Sequence, residues 1–169
     1  MTFTFVGMPA SGKSCIGRAL SKRLNMKLID ADRVIEAREG RKLQEIIDQD
    51  GLEAFKRIEE ETILTINDDN VLLAPGGSAI YYPRCIEHFK KLGKIIYLHC
   101  SYDVIAKRLG DYSKRGVVLR PDQTLFDLYQ ERCALYEKYA DIVIDCSGND
   151  YPTYQKRAYY AIMGTLGNI

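Results

Sequence analysis

Short apolar runs alternate with stretches of helical spacing along most of this chain. Thr2–Val6 forms the first run and ends at Gly7. After it, Cys15, Ile16, Ala19, Leu20 and Leu24 recur at helical spacing through Ser14–Leu24, with Arg18, Lys22 and Arg23 between them. Lys27–Asp30 predicts a second brief strand, and Ala31–Glu39 a helix stopped by Gly40. Two more helices are expected, Leu43–Asp50 ended by Gly51 and then Leu52–Asn67. Val71–Ala74 has strand character and is broken by Pro75-Gly76-Gly77-Ser78. Pro83 opens a helix that stops at Gly93. A strand at Ile95–His99, a helix at Tyr102–Leu109 and a charged, irregular stretch at Gly110–Pro121 follow. A long helix at Gln123–Tyr139, a strand at Ile142–Asp145 and a closing helix at Tyr154–Leu166 complete the pattern.

Five short strands with little polar alternation, separated by helices, imply a parallel sheet covered on both faces. Right-handed crossovers place the strand C-termini along one edge, where ligands of open α/β sheets gather. No repeat or linker divides the chain. The expectation is one α/β domain over 1–169.

Composition narrows the function. Of 169 residues, 46% are hydrophobic and 28% charged, enough to bury a core. Lys plus Arg number 24 against 23 Asp plus Glu, for a net charge of +1. That balance supplies no long-range positive field, so neither nucleic acid nor a membrane surface is the expected partner. No apolar run reaches the ~18–20 residues of a membrane span. The N-terminal residues carry no basic region or cleavage site of a secretory signal. Five scattered cysteines (Cys15, Cys85, Cys100, Cys133 and Cys146) form no C-x-x-C pair and suit reduced thiols in the cytoplasm.

Gly7-Met8-Pro9-Ala10-Ser11-Gly12-Lys13-Ser14 fits G-x-x-x-x-G-K-[ST] and lies between a predicted strand and a predicted helix, the context that motif requires. Its glycines let backbone N–H groups turn inward around phosphate oxygens, and the helix N-terminus adds positive potential. Gly7, Ala10, Ser11, Gly12, Lys13, Ser14 and Cys15 are therefore candidate nucleotide-binding residues. Lys13 is expected at the β- and γ-phosphates of ATP, and Ser14 on Mg²⁺.

A guanine-reading N-K-x-D is absent. Asp48-Gln49-Asp50-Gly51 matches D-x-x-G but ends a helix with no strand before it. A small-molecule kinase is the class that remains. Such an enzyme must activate an acceptor hydroxyl, and Asp30-Ala31-Asp32 reaches the ligand edge on the second strand. One carboxylate can hold metal-bound water while the other orients or deprotonates the hydroxyl. The alternative is that they cap the following helix. Asp145, ending the last strand, is a rival metal carboxylate.

These pieces resemble the shikimate kinase family to about Asn149. The loop and Asp30-Ala31-Asp32 look like that family's nucleotide loop and D-x-D. Glu53-Ala54-Phe55-Lys56-Arg57-Ile58-Glu59-Glu60 is similar to its E-x-x-F-R-x-x-E, and Pro75-Gly76-Gly77-Ser78 to its triple glycine. Arg108 through Arg115 matches the span from an adenine-side arginine to a lid arginine, and Glu131-Arg132-Cys133-Ala134-Leu135-Tyr136 resembles its R-x-P-L-Y. The resemblance implies a three-layer P-loop kinase fold with a five-stranded parallel sheet, substrate-binding helices about 31–66 and a mobile lid about 110–121. It implies phosphorylation of shikimate by a monomer in aromatic amino-acid biosynthesis. It assigns Asp32 to the acceptor hydroxyls, Ser14 with Asp30 to Mg²⁺, Lys56 and Arg132 to the acceptor carboxylate, and Gly76, Gly77 and Ser78 to the ring. Arg115 closes over the transferring phosphate, and Arg108 flanks adenine.

Four departures stand out: Lys56 for arginine, Ser78 for the third glycine, Arg115-Gly116-Val117-Val118 for R-P-L-L, and Ala134 for proline. Three touch the acceptor side, so another hydroxy acid such as homoserine remains an alternative acceptor, and a nucleotide-binding pseudoenzyme an alternative class. Arg57 competes with Lys56 for the pocket, because adjacent helix positions point about 100° apart. Glu59, one turn on, is expected to orient Lys56. Arg132 alternatively pairs with acidic residues on a helix surface. The tyrosines of 151–160 are expected to pack the last helix.

Overall fold

The structure is a computed structural model that describes residues 1–112, 117–148 and 150–167. The expected lid residues Arg115 and Gly116 lie outside the described residues. Five strands form one sheet: β1 (Thr2–Val6), β2 (Lys27–Asp30), β3 (Val71–Ala74), β4 (Gly93–His99) and β5 (Ile142–Asp145), in the order β2-β3-β1-β4-β5. Every pairing is parallel.

Strand β1 is central and buried along its whole length, with Phe3 and Phe5 fully inaccessible. Leu72, Leu73, Ile95, Ile96 and Leu98 pack beside them at 0% exposure. Each such side chain contributes roughly 1.5–3 kcal/mol by leaving water. Strands covered on both faces need no polar alternation, which is why the apolar runs are nearly continuous. Helix α1 (Lys13–Leu24) and helix α8 (Tyr151–Gly167) pack together on one face. Helix α5 (Pro83–Leu92) and helix α7 (Leu125–Tyr139) cover the other, giving three layers. Helix α6 (Tyr102–Leu109) packs on α7.

Three helices stand beside the sheet: α2 (Ala31–Glu39), α3 (Leu43–Asp50) and α4 (Leu52–Thr65). They share a small core of Ile35, Ile46 and Phe55. This cluster fixes one face of α4, and so the direction of the residues that follow Phe55.

Parallel pairing brings the loops after β2, β3 and β1 out side by side at one edge. Asp30 is in register with Ala74, so Asp30-Ala31-Asp32 and Pro75-Gly76-Gly77 emerge as neighbours, with the Gly7 loop beyond them. Asp145 ends β5 at the opposite edge, four strand spacings from β2, or roughly 19 Å. Its side chain is 64% exposed and accepts the Ser147 N–H, so the rival metal carboxylate stands apart from the Ser14–Asp30 pair.

The Pro75–Ser78 break continues as a 3-10 helix, Gly77–Tyr81, which the sequence pattern did not predict. Helix α8 starts three residues before the expected Tyr154. Tyr154 and Ala158 are buried, and Arg23 stacks on the Tyr159 ring at 3.7 Å, in keeping with a packing role for this tyrosine-rich helix.

Candidate active site

The loop between β1 and α1 is held open by left-handed backbone. Ala10 has φ 65 and Gly12 φ 98, and the Ser11 N–H donates to the Met8 carbonyl at 3.1 Å. Left-handed geometry costs an alanine roughly 1–2 kcal/mol, a strain tolerated where it turns successive N–H groups to one side. The Lys13 ammonium curls back over the loop and donates to the carbonyls of Gly7 at 2.8 Å and Met8 at 3.0 Å. Burial pushes it down to about 8, against the pull of Asp32. Ser11 Oγ is buried with no hydrogen-bond partner in the described residues. A cradle of N–H groups, a buried cation and an unsatisfied hydroxyl fits a polyphosphate. Cys15 sits exposed on the first turn of α1. Arg108 lies against the loop, its Nη1 3.3 Å from the Ala10 carbonyl and 3.5 Å from Cys100 Sγ.

Beside this loop, Ser14 Oγ donates to Asp30 Oδ2 at 3.0 Å. Asp30 Oδ1 accepts the Asp32 N–H at 3.2 Å and caps α2. Capping and ligand chemistry thus share one carboxylate. A hydroxyl and a carboxylate at one point are hard oxygen donors suited to Mg²⁺. Asp32 is left to face a cleft of about 1030 Å³ that Lys13, Lys56, Glu59, Gly76 and Arg132 also line. Burial first, then the charges of Asp30 and Glu59, push the Asp32 carboxyl up to about 6.

The far wall is built by the turn after β3 and by α7. Thr124 caps α7 and exchanges bonds with Asp127, its Oγ1 accepting the Asp127 N–H at 3.1 Å and its own N–H reaching Asp127 Oδ2 at 2.8 Å. Two turns on, Arg132 is 8% exposed, with its Nε buried and unpartnered in the described residues. Its guanidinium lies 5.4 Å from the centre of the Tyr81 ring. Tyr136 donates to the Gly77 carbonyl at 2.7 Å and so pins the turn. A Cβ on Gly77 would fall 3.1 Å from Arg132 Nη1. One on Gly76 would fall 2.6 Å from Glu59 Oε1 and 3.4 Å from Asp32 Oδ1. A side chain at Gly76 would force the buried Glu59 to shift, and one at Gly77 would sit tightly against Arg132.

Arg132 is therefore a cleft residue and not a member of a surface ion pair. Lys56, and not Arg57, is among the residues lining the cleft. Its expected partner is corrected, however. Lys56 donates to Glu53 at 2.8 Å at the exposed mouth, while Glu59 is 1% exposed and accepts from Ser78 at 2.9 and 2.8 Å and from Tyr82 at 2.6 Å. Burial raises the Glu59 carboxyl, and the Tyr82 and Ser78 hydroxyls act against that push. Tyr136 closes the segment that resembles R-x-P-L-Y, whereas Tyr81 and Tyr82 had no motif to mark them. Only their place after the glycine turn hints at a role.

A nucleotide cradle beside a hard-oxygen pair, opening on a cleft with a buried carboxylate and a buried guanidinium, defines a phosphotransferase that acts on a small anionic acceptor. The shikimate kinase family model matches residues 9–159. The shikimate kinase of Paracidovorax citrulli is 35% identical over 149 residues, covering 85% of this chain and 81% of that protein. A shikimate kinase structure from Acinetobacter baumannii in complex with shikimate superposes with a TM-score of 0.87 at 25% identity, covering 97% of this chain and 93% of that one. That of Aquifex aeolicus gives 0.84 at 27% identity, covering 98% of each chain. The chain belongs to the shikimate kinase family.

Proposed function

We propose that this enzyme transfers the terminal phosphoryl group of ATP to a hydroxyl of shikimate, giving shikimate 3-phosphate, with Mg²⁺ as cofactor. The observation that carries the reading is the convergence of Lys13, Asp32 and Arg132 on one cleft floored by Gly76 and Gly77.

Gly7, Ala10, Ser11, Gly12, Lys13, Ser14 and Cys15 hold the nucleotide phosphates, and Arg108, which reaches the same loop from α6, flanks the base. Lys13 must leave the Gly7 and Met8 carbonyls for phosphate oxygens, a charge-assisted exchange that favours the bound state. Ser14 and Asp30 would hold Mg²⁺, which when bound offsets charge on the phosphate oxygens. Asp32 accepts a hydrogen bond from the acceptor hydroxyl and takes its proton as the oxygen attacks. A carboxyl raised to about 6 is still ionised at neutral pH and is a stronger base than an exposed aspartate. Arg132 receives the acceptor carboxylate, its Nε being without a partner among the described residues, with Lys56 as the second cation. Gly76 and Gly77, with Ser78 beyond them, lie against the ring. A cytoplasmic monomer suffices for this, since one chain supplies every residue assigned.

Calorimetric titration of Arg132→Met tests the assignment. Shikimate binding should be lost and nucleotide binding kept. Shikimate bound as tightly as by the parent protein would remove Arg132 from the acceptor site.

A further inference from the structure

Two phenols flank the buried Arg132 guanidinium: Tyr81, at the end of the 3-10 helix, and Tyr136, one turn on in α7. Among the described residues Arg132 forms no ion pair. Glu59 is engaged by Ser78 and Tyr82, and Glu131 by Arg120 at 3.0 Å and Gln123 at 3.4 Å. A phenol has one proton to donate and lone pairs to accept with. Tyr136 commits its proton to the Gly77 carbonyl and Tyr81 commits its own to Glu131 Oε2, each at 2.7 Å. Each oxygen is then left with only lone pairs to offer the guanidinium. Burial acts to lower Arg132, yet Tyr136, Tyr81 and Glu59 hold it above its ordinary value. Burial, and then the bond to Glu131, raise Tyr81, so its phenol is neutral at pH 7. The Tyr81 ring also lies 5.4 Å from the guanidinium carbon, within reach of a cation's attraction to an aromatic face.

We propose that Tyr81 is a positioning residue for acceptor binding: its phenol, anchored on Glu131, holds the Arg132 guanidinium in the cleft as a neutral hydrogen-bond acceptor and leaves the full positive charge for the acceptor carboxylate. The proposal rests on the reading of Arg132 as the ligand of that carboxylate. A protein carboxylate in the place of the phenol would orient the guanidinium too, but it would cancel its charge and have to be displaced by the substrate. Glu131 is suited to be the anchor and not the partner, because adjacent helix positions point about 100° apart. Arg120 and Gln123 hold it from the segment before α7, so the phenol oxygen is fixed from both sides of the cleft wall.

The test is steady-state kinetics with shikimate and ATP varied in turn. Tyr81→Phe keeps the ring and removes the hydroxyl. KM for shikimate should rise roughly three- to tenfold, as for the loss of one hydrogen bond. kcat and KM for ATP should change by less than about twofold, because the carboxylate binds away from the reacting oxygen. Arg132→Lys supplies the second background, since its compact ammonium lacks the planar fork that the phenol orients. There Tyr81→Phe should leave kcat/KM for shikimate, which needs no saturation, unchanged. A parent protein that does not phosphorylate shikimate overturns both this proposal and the function above. In an active parent, three results overturn the proposal alone. KM for shikimate may stay level in Tyr81→Phe, or kcat and KM for ATP may worsen by as much, which marks a structural role. The third is an equal loss in the parent and in the Arg132→Lys background, which shows the hydroxyl acting on the acceptor directly.

Discussion

The Ser14 hydroxyl and the Asp30 carboxylate meet at 3.0 Å although one opens α1 and the other closes β2. Their contact joins the phosphate loop to the acceptor side of the cleft. Asparagine caps helices as well as aspartate does, so Asp30→Asn keeps the α2 cap and removes only the charge. The Mg²⁺ concentration for half-maximal activity should rise by about 10–100-fold, with Tm nearly unchanged. An unaltered Mg²⁺ titration would place the ion elsewhere.

Lys13→Met deletes the buried ammonium that curls over the loop. Turnover should fall at least roughly a hundredfold, as for the loss of one preorganised contact to developing charge. Because burial lowers Lys13 to about 8, ATP affinity of the parent measured without acceptor should weaken as pH rises through that value. Affinity that stays level to pH 9.5 would show the ammonium protected or uninvolved.

As the proposed base, Asp32 must act in its charged form, yet it is held where charge is unfavourable. Its carboxyl sits at about 6 against an ordinary 3.8, so the folded state prefers it protonated, and the cost is fully present above pH 6. kcat/KM should therefore rise with pH through about 6 and level off above it. Asp32→Asn should lower kcat by about 10²–10⁴ while stabilising the fold at neutral pH by on the order of 2 kcal/mol, seen as a higher Tm. An inactive variant with a lower Tm would contradict the assigned burial cost.

Gly76→Ala tests the close approach of the two carboxylates. The added methyl would lie 2.6 Å from Glu59 Oε1, so the buried glutamate must move and its bonds to Ser78 and Tyr82 must distort. KM for shikimate should rise at least about tenfold, with a loss of roughly 1–3 kcal/mol in stability typical of overpacking. Unchanged KM would separate Glu59 from the acceptor site.

Elements with local stop signals were legible in the sequence. Helices α2, α3 and α6 begin and end where the pattern placed them, because each is closed by Gly40, Gly51 or Gly110. Strand β4 starts two residues before the expected Ile95. Gly93 carries no strand signature, yet it pairs with Thr2, whose backbone approaches too closely for any side chain. The phosphate loop and Asp30-Ala31-Asp32 could be placed because strand order alone brings them to one edge. Glu59 could not. Its partners Ser78 and Tyr82 lie 19 and 23 residues away on another element, and helical spacing alone pointed to Lys56 instead. Arg132 was visible as a motif residue, but its burial follows from α7 packing over the Gly77 turn, which spacing does not encode.

The central claim is the identity of the acceptor, and acceptor-dependent ADP release measures it most directly. Purified enzyme with ATP and Mg²⁺ would be offered shikimate, quinate, homoserine and other small hydroxy acids at equal concentration, with phosphorus NMR of the product. The account predicts ADP release with shikimate well above every other acid, and one new phosphate ester on its ring. Release that is greater with homoserine or another acid, or absent with all of them despite tight ATP binding, would contradict it.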